Sequence, residues 1–241
     1  MNFKNKSAFV TGGNRGLGRG FVEYFTDQGV QVFMGVRDPN TIDKKLHDNK
    51  NIHITPIDVA SDVSIKKAKK LVQKQTKSID FIVNNAGVNK DSATGGQKEK
   101  VCTLKDLDRR SLLTMFSVNS IGPMMVLKEF EDLLTGDPSF VINISSSRSS
   151  YADEFSNTNG NYGYRASKSA LNMMTFCSLF DLPKNVKTFV VHPGGVKTDM
   201  NPDGTDFPYE QAKKIIGITR HWKEKFNGKF LRYNGVFYPL R

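Results

Sequence analysis

Tyr164 and Lys168 stand four positions apart in the stretch YRASKSALNMM. On a helix that spacing places both side chains on one face at neighbouring turns, ~6 Å apart at Cβ. A phenol titrates near pH ~10, and a neighbouring ammonium favours the phenolate, which lowers the phenol pKa towards a working acid/base range. Just upstream, FVINI carries Val141, Ile142 and Ile144, the apolar, β-branched composition of a buried strand. Three serines, Ser145, Ser146 and Ser147, follow where that strand should end. Ser146 is placed to donate a hydrogen bond to a carbonyl oxygen, and strand alternation means a one-residue slip would present a neighbour instead. Together these groups suit hydride transfer to or from a carbon that bears oxygen.

The spacing alone has little specificity. Tyr209 and Lys213 repeat it, in a region rich in Pro, Gly and Asp with no serine-ended strand before it. That second pair reads as the surface face of a helix.

A second cluster lies near the start of the chain. Gly12, Gly13, Asn14, Arg15, Gly16, Leu17 and Gly18 fall between a short strand at Lys6 to Thr11 and a helix at Leu17 to Gln28, which Gly29 closes. Glycines there allow a sharp turn and the close approach of a pyrophosphate to a helix N-terminus, where free N–H groups and the helix dipole favour anions. The spacing is G-x-x-x-G-x-G and not the commoner G-x-G-x-x-G. At the end of the next strand an acid would hold a ribose hydroxyl, whereas an arginine accommodates a 2′-phosphate. The chain reads Val36-Arg37-Asp38-Pro39 there, and Arg15 is a second cation within the loop. Asp38, before a proline, reads as the start of a turn. NADP(H) is therefore favoured over NAD(H).

The elements that must position these groups alternate along the chain. Further strands are expected at Gln31 to Val36, Ile52 to Ile57, Ile79 to Val83, Val186 to Val191 and near Phe230. Helices are expected in the Lys-rich stretch, over Leu104 to Leu134 in two pieces with Pro123 early in the second, and near Tyr209 to Gly217. Such alternation predicts an α/β fold, a doubly wound, Rossmann-like parallel sheet with helices on both faces, as a single domain over residues 1–241.

Composition narrows the possibilities. Hydrophobic residues make up 38% and charged residues 24% of 241 positions, as in a globular protein with a substantial core. No stretch approaches the ~20 apolar residues of a membrane span, and the N-terminal MNFKNKSAFVTGG has no apolar secretory core. Cys102 and Cys177 form neither a disulfide framework nor a metal pattern, so no metal and a cytoplasmic location are expected. The net charge of +11 raises nucleic-acid binding as a possibility. Its densest cluster, Lys66 to Lys77, however, carries an apolar stripe of Ala68, Leu71 and Val72 and reads as the solvated side of an amphipathic helix. No nucleic-acid or membrane partner is expected.

Taken together, these residues resemble the short-chain dehydrogenase/reductase family in its compact form, over nearly the whole chain. Thr11-Gly12-x-x-x-Gly16-x-Gly18 is similar to its cofactor loop, Asp58-Val59 to its adenine contact, and Asn84-Asn85-Ala86-Gly87 to its motif after the fourth strand. Asn119 resembles the family's helix asparagine, which supports a proton-relay water. Ser146, Tyr164 and Lys168 complete a tetrad with it, and His192-Pro193-Gly194 with Val196 and Thr198 resembles the nicotinamide-side loop. TGGNRGLG, YGYRASKSALNMM, HPGGVKTDM and FLRYNGVFYPL are closest to the subgroup of C-factor and Sniffer-type carbonyl reductases.

The resemblance implies NADPH-dependent reduction of a small-molecule carbonyl, with Tyr164 as acid, Ser146 holding the oxygen, Lys168 lowering the Tyr164 pKa and binding the nicotinamide ribose, and Asn119 linking Lys168 to solvent. It implies a homodimer or homotetramer through the long helices, here Leu104 to Leu134 and Tyr164 to Leu182. The C-factor likeness also implies an alternative, a signalling or regulatory nucleotide-binding protein with little catalysis. Two features depart from the family: Ser146 precedes Tyr164 by eighteen positions, a long interval, and Asp91 to Lys100 is a polar loop without counterpart. A substrate lid is expected near 198–215, with Met200, Phe207, Tyr151 and Phe155 as apolar walls.

Overall fold

The central strands are short, apolar and buried on both faces, the mark of a parallel sheet covered by helices. In the computed structural model, which describes residues 3–89, 103–152 and 160–240, seven strands form one parallel sheet. They are β1 (Ser7–Thr11), β2 (Gln31–Val36), β3 (Ile52–Pro56), β4 (Phe81–Asn84), β5 (Ser139–Ile144), β6 (Val186–His192) and β7 (Phe230–Arg232), in spatial order β3-β2-β1-β4-β5-β6-β7. Register follows side-chain alternation. Ala8 and Val10 enter one core with Phe140 and Ile142, while Phe9 enters the other with Val141.

The helices close the two faces. The helices α1 (Gly16–Asp27), α2 (Lys44–His47), α3 (Asp62–Gln73), α4 (Arg109–Phe116), α5 (Gly122–Phe130), α6 (Tyr162–Ser178) and α7 (Pro208–Arg220) follow in chain order. Residues of α1 and α7 fill the first core and those of α3 and α5 the second. Phe9 stacks on Phe130 with ring centroids 4.5 Å apart. Truncating such a buried phenylalanine to alanine costs about 3–5 kcal/mol.

The stretch from Leu104 to Leu134 holds the two expected pieces with Pro123 early in the second, and α4 runs into α5 through a π-helical turn, Ser117–Ile121. Two expectations change. In α3 the buried stripe is Ile65, Ala68 and Val72, with Leu71 turned outward, and the helix starts earlier because Ser61 caps it. The expected lid at 198–215 divides: from Pro208 onward the chain is α7, whose Gln211, Ala212 and Ile215 are fully buried. A Cβ on Gly20 of α1 would stand 2.4 Å from the Pro208 carbonyl oxygen, so α7 lies hard against α1. Tyr209 packs on Tyr24 and donates to Asp27 at 2.9 Å, leaving the Tyr209/Lys213 pair on that outer face. Asp91 to Lys100, Cys102 and Phe155 lie outside the described residues.

The strand order reverses direction between β1 and β4, and the C-terminal ends of β1, β4, β5 and β6 open on the same side. That is where ligands bind in an open parallel sheet.

Candidate active site

The turn from β1 into α1 is fastened to the end of β4. The Thr11 hydroxyl accepts from the Asn85 and Ala86 amides at 3.0 and 3.1 Å, and Asn85 Nδ2 donates to the Thr11 and Gly12 carbonyls at 3.0 and 3.1 Å. Gly12 and Gly16 take φ of +67° and +53°, and a Cβ on Gly18 would lie 2.0 Å from the Gly12 oxygen. Only glycine fits at Gly18. Asn14, Arg15, Gly16 and Leu17 border a cavity of about 940 Å³ at the N-terminus of α1, whose first-turn N–H groups lack helical partners.

Arg37, Asp38, Asp58 and Val59 border the far end of this cavity. Asp38 accepts from the Asn40 amide and caps the 3-10 turn Pro39–Thr41, so it does start a turn. Asp58 accepts from the Ala60 amide. Arg15 borders the cavity and pairs with Asp199 at 2.8 Å, with both side chains about three-quarters exposed, at 71% and 76%. Arg37 is the cation at the end of β2.

At the near end, α6 carries Tyr164 and Lys168 against the tip of β5. Lys168 is buried, donates to the Ile144 carbonyl at 2.7 Å, and lies 5.9 Å from the Tyr164 ring centroid. Burial lowers its pKa from 10.5 to about 8. Tyr164 moves opposite to expectation. Burial raises its pKa, against the opposing pull of a hydrogen bond with Ser146 and the positive charge of Arg148. The Lys168 ammonium, engaged with β5, does not reverse this.

Among the three serines the geometry separates the roles. Ser145 points inward to Ser149 and the Lys168 carbonyl, the Ser147 amide donates to His192 Nδ1 at 3.2 Å, and Ser146 meets Tyr164.

Asn119 sits fully buried in the π turn. Its Oδ1 accepts from the Val88 amide at 2.8 Å, and its Nδ2 donates to the Val88 carbonyl and to Ser167 Oγ at 2.9 and 3.0 Å. Its side chain thus braces the segment after Gly87 against α6. A Cβ on Gly87 would stand 3.4 Å from Asn119 Oδ1 and 3.6 Å from Lys168 Nζ.

Beyond β6, Pro193, Gly194, Val196 and Thr198 border the same cavity. Gln211 donates to the Pro193 carbonyl, Asp206 accepts from the Gly195 amide, and Val196 bridges to Asp206. Of the expected apolar walls, Met200 borders the cavity, whereas Tyr151 and Phe207 are exposed at 86% and 68% and do not. His192 and Arg148 also border it and were not among the expected site residues. His192 lay within a noted motif, and Arg148 is two positions from Ser146, so adjacency was the available signal.

The short chain dehydrogenase family model matches residues 6–207. The chain belongs to this family. Among relatives of this dehydrogenase is the C-signal protein of Myxococcus xanthus, 32% identical over 168 residues, covering 68% of this chain and 94% of that one. The NADPH-bound carbonyl reductase from chicken fatty liver superimposes with a TM-score of 0.85 at 27% identity, covering 98% and 99% of the two chains. The carbonyl reductase Sniffer of Drosophila melanogaster gives 0.84 at 28%, with the same coverage. The carbonyl-reductase-like subgroup expected from the sequence motifs is thereby supported. No helix among the described residues is long and apolar enough to cross a membrane.

Proposed function

We propose that this short-chain dehydrogenase is an NADPH-dependent carbonyl reductase acting on a small molecule. The observation that carries the reading is one continuous cavity, with the glycine turn and Arg37 at one end and Ser146, Tyr164 and Lys168 at the other. The glycine turn has no room for side chains at Gly18, and the α1 N-terminus offers unpaired donors, which fits a dinucleotide pyrophosphate. Arg37 would hold the 2′-phosphate, with Asp58, Val59, Asn85, Ala86 and Gly87 along the adenine and ribose side, and Pro193, Gly194, Val196 and Thr198 beside the nicotinamide. NADPH supplies the hydride when bound.

This chain's residues then manage the oxygen and its proton. Ser146 donates a hydrogen bond to the substrate oxygen, and Tyr164 delivers its proton there. Because burial raises the Tyr164 pKa, the phenol stays protonated at neutral pH and is a competent acid. The Lys168 ammonium favours the phenolate left behind and would contact the nicotinamide ribose. Asn119 holds the Gly87–Val88 segment and Ser167 in register beside Lys168, and a proton relay to solvent would pass along that edge. The loop 198–207 would cover the substrate. A cytoplasmic site of action and a homodimer or homotetramer, with exposed Leu113, Met173 and Phe176 at the contact, belong to the same proposal.

The likeness to the C-signal protein favours a second reading, a regulatory nucleotide-binding protein. Fluorescence titration with NADPH and NADH, followed by NADPH oxidation with small aldehydes, quinones and diketones, separates the two. Tight NADPH binding with turnover supports the reductase. Tight binding without turnover on any carbonyl favours the regulatory reading, and absence of binding removes both.

A further inference from the structure

We propose that Asn172 is a positioning residue for the reduction. Its bond to Ser149 joins the helix that carries Tyr164 and Lys168 to the turn that follows Ser146, and so fixes where the Ser146 hydroxyl stands. This role rests on the reductase reading of the site.

Tyr164, Lys168 and Asn172 follow one another at four-residue intervals along α6, so their side chains share one face of the helix. That face meets the end of β5 and the 3-10 turn Ser147–Ser149 behind it. Asn172 is buried, and its Nδ2 donates to Ser149 Oγ at 2.9 Å. Ser149 passes the contact on. Its Oγ donates to the Ser146 carbonyl at 2.6 Å, and its amide donates to the same oxygen at 3.0 Å. Ser169, also on α6, donates to the Ser149 carbonyl at 2.9 Å, so the helix holds Ser149 by both its side chain and its main chain. The Ser146 hydroxyl accepts from the Arg148 amide at 3.2 Å, which occupies one lone pair and leaves its own proton for an oxygen in the cavity. The two halves of the site, Ser146 on one element and Tyr164 with Lys168 on another, are thus set against each other through Asn172 and Ser149.

The other end of the Asn172 amide shows what the side chain is not for. Its Oδ1 is buried without a hydrogen-bond partner among the described residues. An unpaired buried oxygen lowers stability, and a leucine would occupy the same helical position without that loss. Stability therefore does not account for an asparagine here, whereas the bond it donates to Ser149 does. Reaction rates are sensitive to such placement: a shift of about 1 Å in a reacting group can lower a rate by about 100-fold.

The test uses Asn172→Leu, Ser149→Ala, the two combined, and Asn172→Leu added to Ser146→Ala. Each is assayed with NADPH and whichever aldehyde, quinone or diketone the parent reduces fastest. Asn172→Leu should lose about 10–100-fold in kcat while NADPH affinity stays within about 3-fold. Its melting temperature should stay within about 3 °C of the parent. Ser149→Ala strands the whole Asn172 amide and should melt lower; adding Asn172→Leu should restore melting yet leave kcat low. In the Ser146→Ala background, where the hydroxyl to be positioned is gone, Asn172→Leu should change kcat by less than about 2-fold. Equal losses with and without the Ser146 hydroxyl would overturn the role. So would full kcat in Asn172→Leu, or a double variant that recovers kcat along with melting. An Asn172→Leu chain that fails to fold would assign the asparagine to stability and overturn it as well. All of these spare the reductase reading, whereas a parent that turns over no carbonyl removes both.

Discussion

Replacing Lys168 by methionine should change how stability depends on pH, and the size of the change follows from its burial. The folded-state pKa falls from 10.5 to about 8, because the ammonium must give up water. At ~1.4 kcal/mol for each tenfold, that is a penalty of about 3 kcal/mol whenever the folded chain carries the charge. The penalty is complete below pH 8. Between about pH 8 and 10.5 the unfolded chain binds the proton more readily than the folded one, so stability rises with pH and levels off above that window. Lys168→Met removes this dependence. It also forfeits the bond to the Ile144 carbonyl, worth about 1–2 kcal/mol, so near neutral pH the variant should be as stable as the parent or slightly more so. The single tryptophan, Trp222, packs against Phe140, Phe189 and Phe226 and reports unfolding by fluorescence. Urea titrations from pH 7 to 11, with reductant for the free thiol of Cys177, give both curves, and other titrating groups cancel in the difference. The parent should gain about 3 kcal/mol over the variant across the window. Parallel curves would refute the buried ammonium, and a parent that weakens relative to the variant would reverse the sign of the argument.

Tyr164→Phe should bind NADPH normally yet lose turnover by ~10³-fold or more, since only the transferable proton is removed; stopped-flow oxidation of bound NADPH would measure it, and turnover at the parent rate would take Tyr164 out of the acid role. Arg37→Ala should weaken NADPH binding by about 10-fold or more and leave NADH nearly unchanged, which paired fluorescence titrations would show. Gly18→Ala should cost several kcal/mol or abolish nucleotide binding, because its Cβ would meet the Gly12 oxygen at 2.0 Å; an unchanged melting temperature with unchanged NADPH affinity would contradict the close approach. Light scattering during size exclusion should give twice or four times the chain mass, and a monomer at all concentrations would remove the helix-mediated assembly.

What the sequence made legible follows from which forces are local. The sheet strands were readable because β1, β4 and β5 are buried on both faces, so hydrophobicity alone marks them. Helix α3 was readable as amphipathic, and Ala68 and Val72 of its expected stripe are buried, while Leu71 faces outward and Ile65 completes the stripe, because only the sheet chooses the face. The Ser146, Tyr164 and Lys168 cluster was legible through spacing and order. The direction of the Tyr164 pKa was not, since it depends on atoms packed around the ring from several elements. The pairing of Arg15 with Asp199 was not legible for the same reason, since the partner stands 184 positions away. Arg148 went unread because adjacency to Ser146 alone does not say whether an arginine faces the cavity or water.

The π turn between α4 and α5 acts as a phase shifter. An α-helix advances ~100° per residue, so one residue more or less rotates everything downstream by that angle. With Ser117–Ile121 wound wide, Val126, Leu127 and Phe130 meet the sheet while Asn119 reaches Val88 and Ser167. A regular helix of the same length could satisfy one of those demands but not both. Deleting a residue here would let the turn close into regular α-helix, which keeps Phe130 facing Phe9 but withdraws Asn119 from Val88 and Ser167.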